Sequence, residues 1–152
     1  MKRLLAVLAV ALMSVGVLWV NPASANDRYG KQKVVYHINE SGGVNSKAYK
    51  VALNNIQNHI NAVGAKNLDL KVVMHGDGVY LLRDALKDLQ LQGTVSNLKR
   101  QNIAFAVCKN TLTGRKINAE KDLFEVFEDD IVPSGVAELA RLQGMGYVYI
   151  KP

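Results

Sequence analysis

The sequence reads as an α/β protein: three layers, α/β/α, around a five-stranded, mostly parallel sheet. Short apolar runs rich in branched and aromatic side chains recur along the chain, too short for buried helices. Longer segments with apolar residues at helical spacing lie between them. Strands that alternate with helices in this way imply a parallel sheet covered on both faces.

The first residues read as an export segment. Lys2 and Arg3 give a positive start, Leu4 to Val20 is apolar apart from Ser14 and Gly16, and Ala23-Ser24-Ala25 fits a small-residue cleavage site. Residues 1–25 are therefore expected to be a cleaved signal peptide, with no stable membrane anchor afterwards and a periplasmic location. The remainder, 26–152, suits one domain with one core.

The first strand is expected over Lys33–Ile38, followed by the loop Asn39-Glu40-Ser41-Gly42-Gly43. Asn45 or Ser46 caps a long helix to about Val63, with Tyr49, Ala52, Leu53, Ile56, Ile60 and Val63 on its buried stripe, and Gly64 ends it. Leu68–His75 is the second strand and Gly76-Asp77-Gly78 its turn. Tyr80–Leu89 reads as a helix with Leu81, Leu82, Ala85, Leu86 and Leu89 on one face. Gln90–Thr94 breaks that pattern, and Val95–Gln101 is a further short helix. The third strand starts at Ile103 and runs into Cys108, and Asn110 or Thr111 caps the helical turn after it. Ile131-Val132 is a fourth strand, Ser134 caps a last helix to about Gln143, and Tyr147–Ile150 is the fifth strand. Right-handed crossovers and the commoner doubly wound arrangement give the flavodoxin-like order 2-1-3-4-5. That order puts a ligand crevice between the first and third strands, bounded by Cys108 and the Asn39–Gly43 loop.

Charge excludes one class of partner. The chain has 19 Lys+Arg against 13 Asp+Glu. Loss of Lys2 and Arg3 leaves a formal charge of +4, and the Lys99-Arg100 pair lacks interleaved aromatics, so no nucleic acid is expected. Ser41-Gly42-Gly43 fits neither G-x-G-x-x-G nor G-x-x-x-x-G-K-[ST], which argues against nucleotide or flavin, and no cofactor is expected.

Cys108 is the only cysteine, so it cannot form a disulfide within one chain. It is a buried hydrophobe, a link between chains or a working thiol. At the carboxyl end of a strand and the amino end of a helix it would meet unpaired N–H groups that favour thiolate. His37 and His75 also end strands. With strands about 4.8 Å apart, the three side chains fall within about 10 Å if they share a face. They are candidate proton shuttles, or, with Cys108, an open metal site, although no metal is assigned. Asn39, Glu40, Gly42, Gly43, Gly76 and Asn110 are the candidate pocket lining.

Four segments resemble the DsrE/DsrF-like family, also called YchN-like. They are Val107-Cys108-Lys109-Asn110-Thr111-Leu112, Val73-Met74-His75-Gly76-Asp77-Gly78-Val79, Val132-Pro133-Ser134-Gly135-Val136-Ala137-Glu138-Leu139 and Gly146-Tyr147-Val148-Tyr149-Ile150-Lys151-Pro152. The resemblance covers Lys33 to Pro152. It implies a three-layer α/β fold, homotrimers or homohexamers, and, in the sulfur-relay members, a persulfide on a cysteine at the end of the third strand. Cys108 falls on that position. The expected function is a sulfur carrier, at most sulfurtransferase-like. Its partners would be sulfur donor and acceptor proteins or small sulfane-sulfur compounds. The alternatives are a non-catalytic oligomeric scaffold and a His/Cys metal-binding protein. The relay members are cytoplasmic, whereas this chain carries an export signal. Amino-terminal sequencing of protein recovered from the periplasmic fraction is expected to begin at Asn26; a retained Met1 would remove the compartment from the account.

Overall fold

The computed structural model describes residues 28–152, so the expected export segment and its cleavage site lie outside the described residues. The elements are β1 (Gln32–Ile38), α1 (Lys47–Val63), β2 (Leu68–Met74), α2 (Tyr80–Asp84), α3 (Leu89–Arg100), β3 (Ala104–Cys108), α4 (Lys109–Arg115), α5 (Ala119–Asp122), β4 (Ile131–Val132), α6 (Gly135–Gly144) and β5 (Val148–Ile150). The sheet has five strands, and every pairing in it is parallel.

The strand order is β4-β3-β2-β1-β5, not 2-1-3-4-5. Each of the first three crossovers moves one strand further in the same direction. The last, through α6, returns across the sheet to lay β5 beside β1. Right-handed crossovers in opposite directions put their helices on opposite faces. The two cores match this. Val34, Tyr36, Ile38, Leu70, Val72, Met74, Phe105 and Val107 pack with the buried faces of α1, α2 and α3 and with Leu112 of α4. On the other face, among the described residues, Val35, Val73 and Ala106 form a smaller cluster with Leu139 and Leu142 of α6 and Tyr147. β2 therefore lies between β1 and β3, and the expected crevice between those two strands does not exist.

Local signals explain most elements. α1 buries all six residues of its expected stripe. Ser46, its N-cap, makes no cap bond; its hydroxyl donates to Asp84 Oδ2 at 2.6 Å. Ser134 caps α6 by accepting from the Ala137 N–H. The helical region after β2 differs from expectation. α2 stops at Asp84, and Asp88 starts α3 by accepting from the Gln90 and Leu91 N–H groups. Gln90–Thr94 is thus helical, while Leu86 (43% exposed) and Leu89 (80%) leave the core. A cap that satisfies two orphan N–H groups restarts a helix through a weakly patterned stretch.

The ends of β1 and β2 are held in close contact. The Tyr49 hydroxyl donates to the Asp77 carbonyl at 2.6 Å, and a Cβ on Gly78 would fall 1.9 Å from the Ile38 carbonyl oxygen. Gly78→Ala must push the rim of β1 and β2 apart and should destabilise by about 2 kcal/mol or more. Gly93→Ala, with open space around it in exposed helix, should stabilise by roughly 0.5–1 kcal/mol. Urea unfolding of the two variants checks the contrast.

Candidate functional site

The helices that follow β3 and β4 leave the rim toward opposite faces. In an open α/β sheet that divergence opens a crevice at the carboxyl ends of the two strands. Cys108 ends β3 in this crevice, and Gly135 opens α6 on its other side. Strand residues alternate faces, so Ala106 and Cys108 both turn toward the α6 face.

Cys108 is itself the N-cap of α4, which begins at Lys109, so neither Asn110 nor Thr111 serves as the cap. Both lie in the first turn, where backbone N–H groups have no partner within the helix. The sulfur lies against N–H groups from both helices. Burial pushes the Cys108 pKa up, but the N–H groups of Gly135, Thr111 and Asn110 and the Thr111 hydroxyl together bring it below the ordinary thiol value. Thr111 Oγ1 accepts from the Gly76 N–H at 3.0 Å, which leaves its own proton for the sulfur. Gly135 keeps this junction tight: a Cβ there would stand 3.0 Å from His75 Cβ and 3.2 Å from Cys108 Cβ, so both neighbours would have to give by a few tenths of an ångström.

His75 is one residue beyond the Met74–Val107 register pair, level with Cys108 on the neighbouring strand. His37 lies one strand further out, and its Nε2 is 2.7 Å from His75 Nε2. On the edge strand β5, the Tyr149 hydroxyl is 2.7 Å from His37 Nδ1. The row thus runs Cys108, His75, His37, Tyr149 across β3, β2, β1 and β5. Burial, then the neighbouring His75 and Lys151 charges, hold His37 down at about 4 against the opposing pull of Glu40. Burial and then Lys151 lower His75 in the same direction. Both imidazoles are neutral near neutral pH, and a neutral pair carries one proton in its Nε2–Nε2 contact.

The expected pocket lining divides. Asn110 and Gly76 stand at the Cys108 crevice, directly and through Thr111. The Asn39–Gly43 loop does not, because β2 separates it from Cys108. Asn39 and Glu40 instead hold Lys151, at 2.5 and 2.8 Å. Gly42 packs under the Tyr49 ring, and Gly43 takes a positive φ of 66° ahead of the turn into α1. Among the described residues no group of three or more His, Cys, Asp and Glu side chains is placed to hold a metal ion. His37, His75 and Cys108 therefore form a row rather than a ligand cage. Sequence reasoning missed Gly135, Thr111 and Tyr149; only their positions beside strand ends signalled them.

Fold and site together define a parallel α/β protein with a thiolate-favouring crevice at its switch point. The model of the DsrE/DsrF-like family matches residues 32–152, and the chain belongs to that family. It is similar to the protein of unknown function MTH1491 from Methanobacterium thermoautotrophicum, with 30% identity, a TM-score of 0.66, and cover of 80% of this chain and 100% of that one. It shares its fold with the YchN protein of E. coli, at 20% identity and a TM-score of 0.60 over 80% of this chain and 99% of that one. No functionally curated protein matches the chain.

The depressed histidines give a pH dependence of known sign. His37 titrates near 4 in the folded chain and at the ordinary 6.5 when unfolded, so the unfolded state takes up the proton first as pH falls. Its contribution to stability is complete above about 6.5 and is lost progressively down to about 4. Urea unfolding across this range should show a shallower fall for His37→Gln than for the parent chain; parallel falls would place the titration elsewhere.

Proposed function

We propose that the protein is a sulfur carrier that holds sulfane sulfur as a persulfide on Cys108. One observation carries this reading: N–H groups from two helices and the Thr111 hydroxyl converge on a lone cysteine. Membership of the DsrE/DsrF-like family points to sulfur-relay chemistry and agrees with it.

In the loading step the Cys108 thiolate attacks the terminal sulfur of a donor persulfide. The new bond joins that sulfur to Cys108, the donor's S–S bond breaks, and the donor leaves as a thiolate that takes up one proton. The sulfane sulfur keeps its oxidation state, so no oxidant, reductant or cofactor is needed. His75, level with Cys108, is placed to handle the proton, and His37 stands behind it.

Cys108 is only 5% exposed. A disulfide-type bond is about 2.05 Å long, so the terminal sulfur of a persulfide stands that much further out than the thiol. Small sulfane-sulfur compounds or a donor persulfide presented at the rim are the partners that suit this depth. We place the carrier in the periplasm, after removal of residues 1–25, and as a homotrimer or homohexamer. The open edge strand β5, with Val148 62% exposed, supports assembly. The low exposure of Cys108 also suits a second reading, a non-catalytic scaffold of the same fold.

Polysulfide treatment separates the two. Native protein should gain sulfur mass on Cys108 alone, and Cys108→Ser should gain none while keeping its fold. Absence of any adduct until the chain is denatured would leave the scaffold reading.

A further inference from the structure

The Thr111 hydroxyl is held between two elements. Its Oγ1 accepts from the Gly76 N–H at 3.0 Å, and the same hydroxyl bonds the Cys108 sulfur. A hydroxyl has one proton, and toward Gly76 it acts as an acceptor, so that proton is turned to the sulfur. The Gly76 N–H is itself fixed. Gly76 has a positive φ of 54°, and a Cβ there would stand 3.3 Å from the Asn39 carbonyl oxygen. One residue on, Asp77 Oδ1 lies 2.7 Å from Arg115 Nη1 at the far end of α4. The turn after β2 thus grips both ends of α4, through Thr111 in its first turn and Arg115 in its last.

A persulfide on Cys108 offers two sulfurs to an incoming thiolate, and the choice decides whether sulfur is transferred or lost. Attack on the terminal sulfur joins it to the acceptor. The S–S bond breaks with its electron pair on Sγ, which gives acceptor persulfide and Cys108 thiolate, and the terminal sulfur keeps its proton. Attack on Sγ joins the acceptor to Cys108 instead. The same bond then breaks with its pair on the terminal sulfur, which gives a mixed disulfide and hydrosulfide. Both courses balance without oxidant or reductant. Hydrosulfide is a weaker base than an ordinary thiolate, and the weaker base leaves faster, so an unassisted persulfide is prone to the second course.

The site opposes that loss in two ways. Cys108 is 5% exposed, whereas the terminal sulfur stands about 2.05 Å further out, so an acceptor at the rim meets the terminal sulfur first. The N–H groups of Gly135, Thr111 and Asn110 and the Thr111 hydroxyl all address Sγ, and they stabilise the electron pair that it receives on leaving. The hydroxyl is the donor among these that a side-chain change removes. Resting on the persulfide reading, we propose that Thr111 determines which sulfur is attacked. Its hydroxyl, aimed by the Gly76 N–H, makes Cys108 Sγ the leaving atom, so a thiol acceptor takes the terminal sulfur instead of expelling it as hydrosulfide. Gly76 is a positioning residue here, since it acts on the sulfur only through Thr111.

The test follows both products in a single turnover. Native protein loaded with polysulfide and freed of excess reagent is given one equivalent of 2-mercaptoethanol, quenched in acid and weighed intact. Free Cys108 reports transfer, and the mixed disulfide reports loss. The parent should return mostly free Cys108. Thr111→Val should raise the ratio of mixed disulfide to free Cys108 about tenfold, the lower end of what a hydrogen bond to a charged group supplies. Thr111→Ala, a strong helix former, should do the same should the valine fail to fold, and Thr111→Ser, which keeps the hydroxyl, should return the parent ratio. An unchanged ratio in the valine or alanine variant, with both products slowed alike, would make Thr111 a packing element and overturn the assignment. A parent that yields mainly mixed disulfide, or a serine variant that matches the valine, would overturn it as well. A parent protein that takes up no sulfur from polysulfide fails earlier, at the persulfide reading itself.

Discussion

The direction of one crossover governs this structure. β1 to β4 are laid down in sequence toward one edge, with their helices on one face, and α6 then carries the chain back to the opposite edge on the other face. Because right-handed crossovers in opposite directions occupy opposite faces, α4 and α6 must diverge at the ends of β3 and β4. The crevice between them, its two sets of helix N–H groups and the placement of Cys108 within it all follow from that reversal. Among the described residues α6 is the one helix on its face, which also leaves room for a row of polar side chains along the strand ends.

That asymmetry was present in the strands, although alternation of strands and helices alone does not reveal it. A parallel sheet fully covered on both faces has near-continuous apolar strands. Here Val34, Tyr36 and Ile38 alternate with Lys33, Val35 and His37, and Leu70, Val72 and Met74 with Asp69, Lys71, Val73 and His75. One half of each strand is apolar and the other mixed, as expected of a sheet with one full helix layer and one thin layer. Strand order could not be read, because pattern shows that a crossover exists and not which way it goes. The α1 stripe was legible because an amphipathic period over 17 residues is a strong signal. The helix break after Asp84 was not, because Leu86 and Leu89 continue an apolar spacing that the Asp88 cap interrupts. Cys108, His37 and His75 were found by their places at strand ends. Tyr149 reads as one more β-forming residue, and Gly135 as one more glycine near a cap, until the fold brings them beside the histidines and the sulfur.

The balance at Cys108 sets two opposing effects against each other. Near-burial disfavours a thiolate, while N–H groups from two directions favour it, and the second prevails. A single helix end lowers a nearby thiol pKa by at most about one to one and a half units, taking about 2 kcal/mol as its upper limit. Convergence of two ends at a switch point is what makes the site more than an ordinary strand terminus. The same low exposure that protects a thiol from adventitious oxidation also restricts its reactions to small or well-placed partners.

The most direct measurement is the pH dependence of Cys108 alkylation in the native protein by a small neutral reagent. The account predicts a single titration with its midpoint below the ordinary thiol value of about 8.5, and a reaction that goes to completion without unfolding. A midpoint at or above that value, or a thiol silent until the chain is denatured, would contradict the claim that the crevice holds Cys108 as a working thiolate.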